Sequence, residues 1–381
     1  MTGLFSSIRA VKKRFSPYRT LVEVFIFKDK LLHNLNKFKK AYSNLSFAPV
    51  LKSNAYGHGL TEVAKILDNE QLAFLCVDSL YEARILRKAG IKSKILILGY
   101  TDPENISFSN LHEVSFVLTA LEQLQATVQK LKSKKKFHLK IDTGMHRQGI
   151  LPEQIEQAVK LIKSSKYIEL EGVCSHFADS DSEDQQFTEL QIKKWREVTA
   201  TLKDNFKDLK YLHVANTAGV YYSNRFESNV ARIGAGLYGT DRSPFQKLNL
   251  EPVLEMHSLI SSVKVAKAGA RVGYNLTYKA GSDITVATVP VGYFEGVDRK
   301  LSNCGFFEVG GVVCPIIGTV SMNITTIDVS KVPNVKAGDP VVLISSDPSA
   351  VNSVENIAKQ IGTIGREILV HIPQHLRRTV I

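Results

Sequence analysis

The chain has 381 residues, 44% hydrophobic and 23% charged, with 49 Lys and Arg against 37 Asp and Glu for a formal net charge of +12. This length accommodates one large and one smaller domain, each with its own core, and the balance is that of a globular chain rather than a disordered one. No apolar run approaches the roughly 20 residues that cross a bilayer, which argues against a membrane partner.

Much of the basic excess sits in two places. Arg9, Lys12, Lys13, Arg14 and Arg19 occur with no acid among the first twenty residues, and Lys132, Lys134, Lys135 and Lys136 form a short cluster. Elsewhere the two signs are mixed, as on a solvated surface, so no nucleic-acid partner is expected. A basic surface does suit anionic substrates and phosphate-bearing cofactors. Residues 1–17 are basic and contain serine but lack the apolar centre of a secretory signal. They read as a loosely attached extension in preference to a targeting segment. Cys76, Cys174, Cys304 and Cys314 include no Cys-x-x-Cys pair and lie in apolar runs, where cysteine packs as a small hydrophobe. That fits a reducing cytoplasm and no metal site.

In chain order, Thr20–Phe27 is strand-like and could join either domain. From residue 28 to about 240, short apolar β-type runs alternate with helical periodicity. Phe47–Leu51, Phe74–Val77, Ile95–Leu98, Ser115–Leu118, Phe137–Ile141, Leu170–Ser175, Tyr211–Val214 and Val230–Ile233 read as buried parallel strands. Between them, Tyr81–Ala89 is a helix stopped by Gly90. Thr119 and Glu122 form a capping box ahead of the stripe Leu121, Leu124, Val128 and Leu131. Pro152 opens a helix carrying Ile155, Val159 and Ile162. Strand–helix units repeating across 18–248 predict the α/β class, a (β/α)8 TIM-type barrel. The alternative, an open doubly wound sheet, would want a Gly-rich fingerprint after its first strand, and Gly57 and Gly59 do not supply it.

Across 249–381 the texture changes to short strands separated by turn residues: Val263–Ala266, Thr285–Val291, Phe306–Val309, Val312–Ile317, Ile324–Val329 and Pro340–Ile344. Gly310-Gly311 has the form of a two-residue hairpin loop. This predicts a smaller all-β C-terminal domain.

Active-site groups of a barrel sit at the C-terminal ends of its strands. Lys52 ends the first strand, Lys140 and the run Asp142–Arg147 follow the fifth, and His176 ends the sixth. Asn216 and Thr217 end the seventh, and Arg232 lies on the eighth. One lysine after an apolar strand is ordinarily a solvated strand end, and a lone arginine there is ordinarily a salt-bridge residue. Five polar strand ends converging on one mouth outweigh those readings. A lysine in such a site can be kept neutral by desolvation and can condense with an aldehyde.

The runs LKSNAYGHG, KIDTGMHRQG, CSHFADSD, HVANTAG, ARIGAGLYG, GYNLTY, PVGYFEGVDRKLSN and CPIIGTVSM resemble the motifs of the alanine racemase family, in the family's order, across residues 20–345. The resemblance implies a pyridoxal phosphate (PLP) enzyme that interconverts L- and D-alanine, supplying D-alanine for peptidoglycan. It implies Lys52 as the cofactor-carrying lysine and the base on one face of the substrate. Tyr274 would be the opposing acid/base, contributed by the partner subunit of a homodimer with shared active sites. Tyr56, Thr217, Gly234 and Ala235 match phosphate-binding positions, and Asn216 beside them is expected to bind the cofactor as well. Arg232 matches the residue facing the pyridine nitrogen, and His176 the one bridging towards Arg232 and Tyr274. Arg147 and the backbone of Met322 match contacts to the substrate carboxylate, and Tyr293 a residue at the site entrance.

The implied chemistry accounts for these residue types. Racemisation removes a proton on one face and returns it on the other, which takes two bases. Free lysine and tyrosine side chains titrate near about pKa 10, so such a site must be partly dry and cationic, a role assigned to Arg232 with His176. A guanidinium does not give up its proton, so the ring nitrogen it faces stays unprotonated and side reactions are suppressed. Decarboxylases of the same barrel class carry an acidic residue there, and non-catalytic PLP carriers lack the β domain. Asn323 stands where the family usually has aspartate, His146 replaces a customary glycine, and the tail Ile372–Arg378 departs from the usual ending. A preference for serine or for several amino acids therefore remains the alternative.

Overall fold

The computed structural model describes residues 20–240 and 243–381. The basic extension expected at 1–17 lies outside them. The described chain forms two compact units, one spanning Phe27–Val253 and one joining the strand that ends at Ile26 to Leu254–Thr379.

After β1 (Glu23–Ile26), the first unit alternates strand and helix. It contains α1 (Lys28–Ala41), β2 (Ser46–Pro49), α2 (Leu60–Leu67), β3 (Leu75–Val77), α3 (Leu80–Lys88), β4 (Ile95–Ile97), α4 (Pro103–Phe108), β5 (Val114–Leu118) and α5 (Leu121–Lys130). It continues with β6 (Lys135–Lys140), α6 (Ile155–Ser164), β7 (Ile168–Cys174), α7 (Gln186–Asn205), β8 (Tyr211–His213) and β9 (Val230–Ile233). β3 to β8 form a continuous parallel sheet, and β2 pairs in parallel with β9. Bonds from Ala73 N to Phe47 O (2.9 Å) and from Leu51 N to Cys76 O (2.7 Å) join β2 to β3. Bonds from Asn229 N to Leu212 O (3.1 Å) and from Arg232 N to Ala215 O (3.0 Å) join β9 to β8. The eight strands thus close into the expected barrel, each within a residue or two of its predicted range.

Helices form where apolar spacing and end signals agree. In α6 the buried residues are Ile155, Ala158, Val159 and Ile162, one stripe at i, i+3, i+4 and i+7. Ser79 caps α3 by accepting from Glu82 N, and Asp102 caps α4. The predicted capping box before α5 is corrected. The side chain that folds back is Gln123, not Glu122; its Oε1 accepts from Thr119 N at 2.7 Å while its Nε2 donates to Thr101 O. An amide both accepts and donates, and so ties two loops where a carboxylate would tie one.

The barrel interior is two-sided. Ala48, Val50, Phe74, Cys76, Leu96, Val117, Cys174 and Val230 pack as one apolar cluster. Burial pushes the Cys76 thiol up to about 12, as suits a packing residue. Strands β6 to β9 instead turn His138, Glu171, His213 and Arg232 into the buried interior.

The second unit is built of antiparallel pairs. Its larger sheet joins β1 to β10 (Leu254–Leu259), then β18 (Pro340–Ile344), β15 (Phe306–Val309) and β16 (Val312–Pro315), with β19 (Arg377–Val380) on the other side of β1. The strand-like Thr20–Phe27 segment therefore contributes to the β unit. A second sheet orders β11 (Ser262–Ala266), β14 (Ile284–Val289) and β17 (Thr325–Asp328), and a two-stranded ribbon pairs β12 (Arg271–Val272) with β13 (Tyr278–Lys279). Gly310 and Gly311 both have positive φ at the β15–β16 hairpin, as a type I′ turn requires. Two short helices, α8 (Val354–Ile361) and α9 (Gly365–Val370), add to the predicted strands. Among the described residues no helix is long and apolar enough to cross a membrane.

Candidate active site

Strand β2 ends in a left-handed turn. Ser53, Asn54, Ala55 and Tyr56 have φ of 52–56°, followed by Gly57 at 82°. Left-handed backbone costs a non-glycine residue about 1–2 kcal/mol, so the turn persists only because its surroundings hold it. Ala55 N donates to Leu51 O (2.7 Å) and Gly59 N to Asn54 O (3.0 Å). Asn54 Oδ1 accepts from Leu60 N, and Glu82 accepts from both Ser53 N and Asp78 N at 2.7 Å. At the head of this clamped turn the Lys52 ammonium lies 3.6 Å from Asp78, both side chains being partly exposed.

Arg232 is buried, and its guanidinium reaches the strand ends on either side. Nη1 donates to His213 O at 2.8 Å and to His213 Nδ1 at 2.5 Å. Nη2 donates to Ser175 O at 2.7 Å and to His176 Nδ1 at 3.0 Å. Burial, followed by the positive charges of Arg232, Lys140, Arg147 and Lys52, holds His176 well below the ordinary imidazole range. It is therefore neutral, and the expected cationic pair is a single cation, Arg232, beside a neutral ring. Because arginine only donates, His176 Nδ1 must accept, which leaves the proton on Nε2. Burial chiefly, with Arg232, Arg147 and Lys52 adding to it, lowers Lys140 as well. Such a mouth calls for anions.

Around it, glycines bring backbone close. A Cβ on Gly234 would lie 2.7 Å from the Tyr56 hydroxyl, and one on Gly236 would lie 2.6 Å from Thr217 Cγ2. Thr217 Oγ1 accepts from Gly236 N at 3.1 Å, while Asn216 Oδ1 accepts from Ser180 Oγ and Gly219 N. The structure thus gathers Tyr56, Thr217, Gly234 and neighbouring Ala235 at one rim. Asn216 braces that rim through its own loop. Arg147 stands exposed in the loop after β6, where Asp142 Oδ1 accepts from Gly144 N and His146 N.

In the β unit, Tyr274 is 70% exposed on a loop fixed by its backbone. Thr319 Oγ1 donates to Tyr274 O at 3.0 Å, Arg271 Nη1 donates to Leu276 O, and Gly273, Asn275 and Leu276 all take positive φ. The backbone of this loop is thus held by its neighbours while the Tyr274 ring faces solvent. Tyr293 N donates to Ser321 O and Phe294 N to Met322 O, which brings Tyr293 and Met322 together.

Both units match known sequences and structures. Residues 26–242 match the alanine racemase N-terminal domain and residues 253–380 the alanine racemase C-terminal domain. The chain belongs to the alanine racemase family. The alanine racemase of Carboxydothermus hydrogenoformans is 35% identical over 356 residues, covering 92% of this chain and 96% of that protein. That of Syntrophobacter fumaroxidans is 36% identical over 349 residues, covering 90% and 92%. The solved alanine racemase of Bacillus anthracis with bound L-Ala-P superposes with a TM-score of 0.89 at 31% identity, covering 96% of each chain. The family depends on PLP.

Three departures from the usual alanine racemase pattern acquire a structural meaning. His146 has φ 51°, a conformation that the customary glycine adopts freely. His146→Gly is expected to stabilise the protein by about 1 kcal/mol, read as a raised urea midpoint with unchanged slope; a lowered midpoint would show that the imidazole contributes more than its backbone strain costs. Asn323 donates through Nδ2 to Glu295 Oε1 at 2.7 Å, where an aspartate would set two carboxylates face to face. The altered tail folds around Arg378, whose guanidinium donates to the carbonyls of Ile372, Pro373 and Leu376.

Sequence reasoning missed Glu82, which clamps the Lys52 turn, and the buried trio Glu171, His138 and His213. The trio had a signal: polar residues inside runs that otherwise read as fully buried parallel strands.

Proposed function

We propose that the chain interconverts L- and D-alanine with PLP by a two-base mechanism, supplying D-alanine for peptidoglycan in the cytoplasm. The observation that carries this reading is the cationic barrel mouth, in which buried Arg232 is bonded to carbonyls and imidazoles. The residues fit a ligand bearing a phosphate and a carboxylate. Lys52 would hold the cofactor covalently through Nζ, with Tyr56, Thr217 and the backbone of Gly234 and Ala235 at its phosphate and Asn216 bracing that rim. When bound, the cofactor supplies an electron sink that makes the substrate's α-hydrogen acidic.

The chain's own groups do the rest. Arg232 would present to the bound cofactor a donor that keeps its proton, and so would not act as an acid towards it. Lys52 Nζ takes or returns the α-proton on one face. The Tyr274 hydroxyl of a second copy does so on the other, and His176 offers its Nε2 proton between Arg232 and that tyrosine. Arg147 and the Met322 backbone orient the substrate carboxylate, and Tyr293 narrows the entrance. Exposed Tyr274, Tyr293, Phe294, Met322 and Ile324 support a homodimer in which each copy completes the other's site. An acidic residue in place of Arg232 would have favoured a decarboxylase, and a PLP carrier would lack the C-terminal domain matched here.

The test incubates the PLP-loaded protein with L-alanine, L-serine and L-lysine and follows optical rotation. Alanine is expected to racemise fastest. Serine ahead of alanine would favour the broader-specificity reading that Asn323 and His146 raise, and CO2 release without racemisation would overturn the assignment.

A further inference from the structure

Arg232 carries a buried positive charge, and the groups it touches are neutral. A chain of hydrogen bonds leads from it to the buried side chain of Glu171. Arg232 Nη1 lies 2.5 Å from His213 Nδ1, His213 Nε2 lies 2.7 Å from His138 Nδ1, and His138 Nε2 lies 3.4 Å from Glu171 Oε1. Ser115 Oγ donates to the same carboxylate oxygen.

The proton positions follow from the ends. Arginine cannot accept, so His213 Nδ1 is an acceptor and its proton sits on Nε2. His138 Nδ1 must then accept that proton's hydrogen bond, which leaves the His138 proton on Nε2, facing a carboxylate that only accepts. Burial, the largest influence, holds both imidazoles below their ordinary range, His213 far below. Burial would raise Glu171, yet the hydrogen bonds from His138 and Ser115 outweigh it and leave the carboxyl below its ordinary range. Every donor in the chain points from guanidinium to carboxylate.

The fold makes room for this arrangement. A Cβ on Gly172 would lie 2.5 Å from His138 Nδ1, and the β6–β7 register shifts between Phe137 and His138. Phe74 packs edge-on to both imidazoles at 5.4 Å, and Tyr211 stacks on His138. In this dry setting an isolated charge is expensive, and a fully satisfied polar chain polarises along its length. Glu171 also lines a cleft of about 630 Å³ with Lys134, Lys166, Lys207 and Lys210.

We propose that Glu171 is a positioning residue for Arg232, its carboxylate supplying through His138 and His213 the negative end of a relayed buried ion pair. Its bearing on the reaction rests on the reading of Arg232 given above. The relay fixes the guanidinium in place and offsets its charge without bringing an acid near the site.

The test compares wild type, Glu171→Gln and Glu171→Leu as full-length chains labelled with 15N-histidine. Glu171→Gln keeps an acceptor for His138 but removes the charge. The His213 Nε2–H resonance is expected to shift in Glu171→Gln, and further in Glu171→Leu, although His213 does not touch residue 171. Ser115→Ala, a milder change, should shift it less in the same direction and serves if the other variants fold poorly. In the PLP-loaded enzyme, Glu171→Gln should lower kcat on alanine about tenfold with KM within about twofold, the low end of the roughly 10–100-fold range for outer-shell partners, as suits a group separated from Arg232 by two imidazoles. An unmoved His213 resonance in all variants would overturn the relay, and a moved resonance with unchanged kcat would overturn the positioning role. Wild-type protein that fails to racemise alanine would sink the reading of the site instead, and the resonance comparison decides the relay independently of it.

Discussion

Lys52→Ala is expected to leave a folded protein that neither holds PLP nor racemises alanine. The turn that presents residue 52 is fixed by bonds from the backbone and from Asn54 and Glu82, so truncating the lysine leaves it standing. Truncation does remove the partly exposed ion pair with Asp78, but exposed pairs contribute only about 0–1 kcal/mol. Stability and function should therefore separate. The urea midpoint should stay near that of wild type, while the visible absorbance of the lysine-bound cofactor and the racemase turnover disappear. Turnover within about tenfold of wild type, a barrier change of only about 1.4 kcal/mol, would contradict the role given to Lys52.

Tyr274→Phe is expected to keep the cofactor absorbance and lose about 10²–10⁴-fold in turnover, the usual contribution of one general acid–base group. Only a hydroxyl is removed, from a ring that is already 70% exposed, so the fold is not at stake. With the lysine still in place, one enantiomer of alanine should continue to exchange its α-hydrogen with heavy water while the other does not. If the tyrosine is supplied across a twofold dimer, mixing Lys52→Ala with Tyr274→Phe under exchange conditions creates heterodimers with one intact site. About a quarter of wild-type activity should return on statistical mixing of two-fold dimers. A mixture as inactive as its components would place both groups in one chain.

The parts of this molecule that could be read from the sequence are those where local chemistry and global fold agree. Largely apolar runs located all eight barrel strands because a strand buried on both faces favours apolar side chains. The polar residues that interrupt those runs at their C-terminal ends, Lys52, His176, Thr217 and Arg232, marked the mouth for the same reason. What escaped notice was set by tertiary contacts. The left-handed turn at 53–57 is written in Ser-Asn-Ala-Tyr-Gly, of which only Asn and Gly favour that backbone; the rest is held by Glu82, far away in sequence. The neutrality of His176 depends on burial and on four cations that only the closed barrel brings near. His138, Glu171 and His213 lie in three different strands, and no spacing in the chain connects them. Helix α8, by contrast, could have been found. Ser353 accepts from Asn356 N at its start and Gly362 closes it with φ 72°, signals that the strand-rich texture around them obscured.

The chemistry of the barrel mouth depends on a covalent link at one side chain. Reducing the PLP-loaded protein with borohydride, digesting it and mapping the modified peptide by mass spectrometry tests that link directly. The expected result is a single pyridoxyl-bearing peptide with the mass shift on Lys52. A shift on Lys140 or any other lysine, or no modified peptide at all, would contradict it.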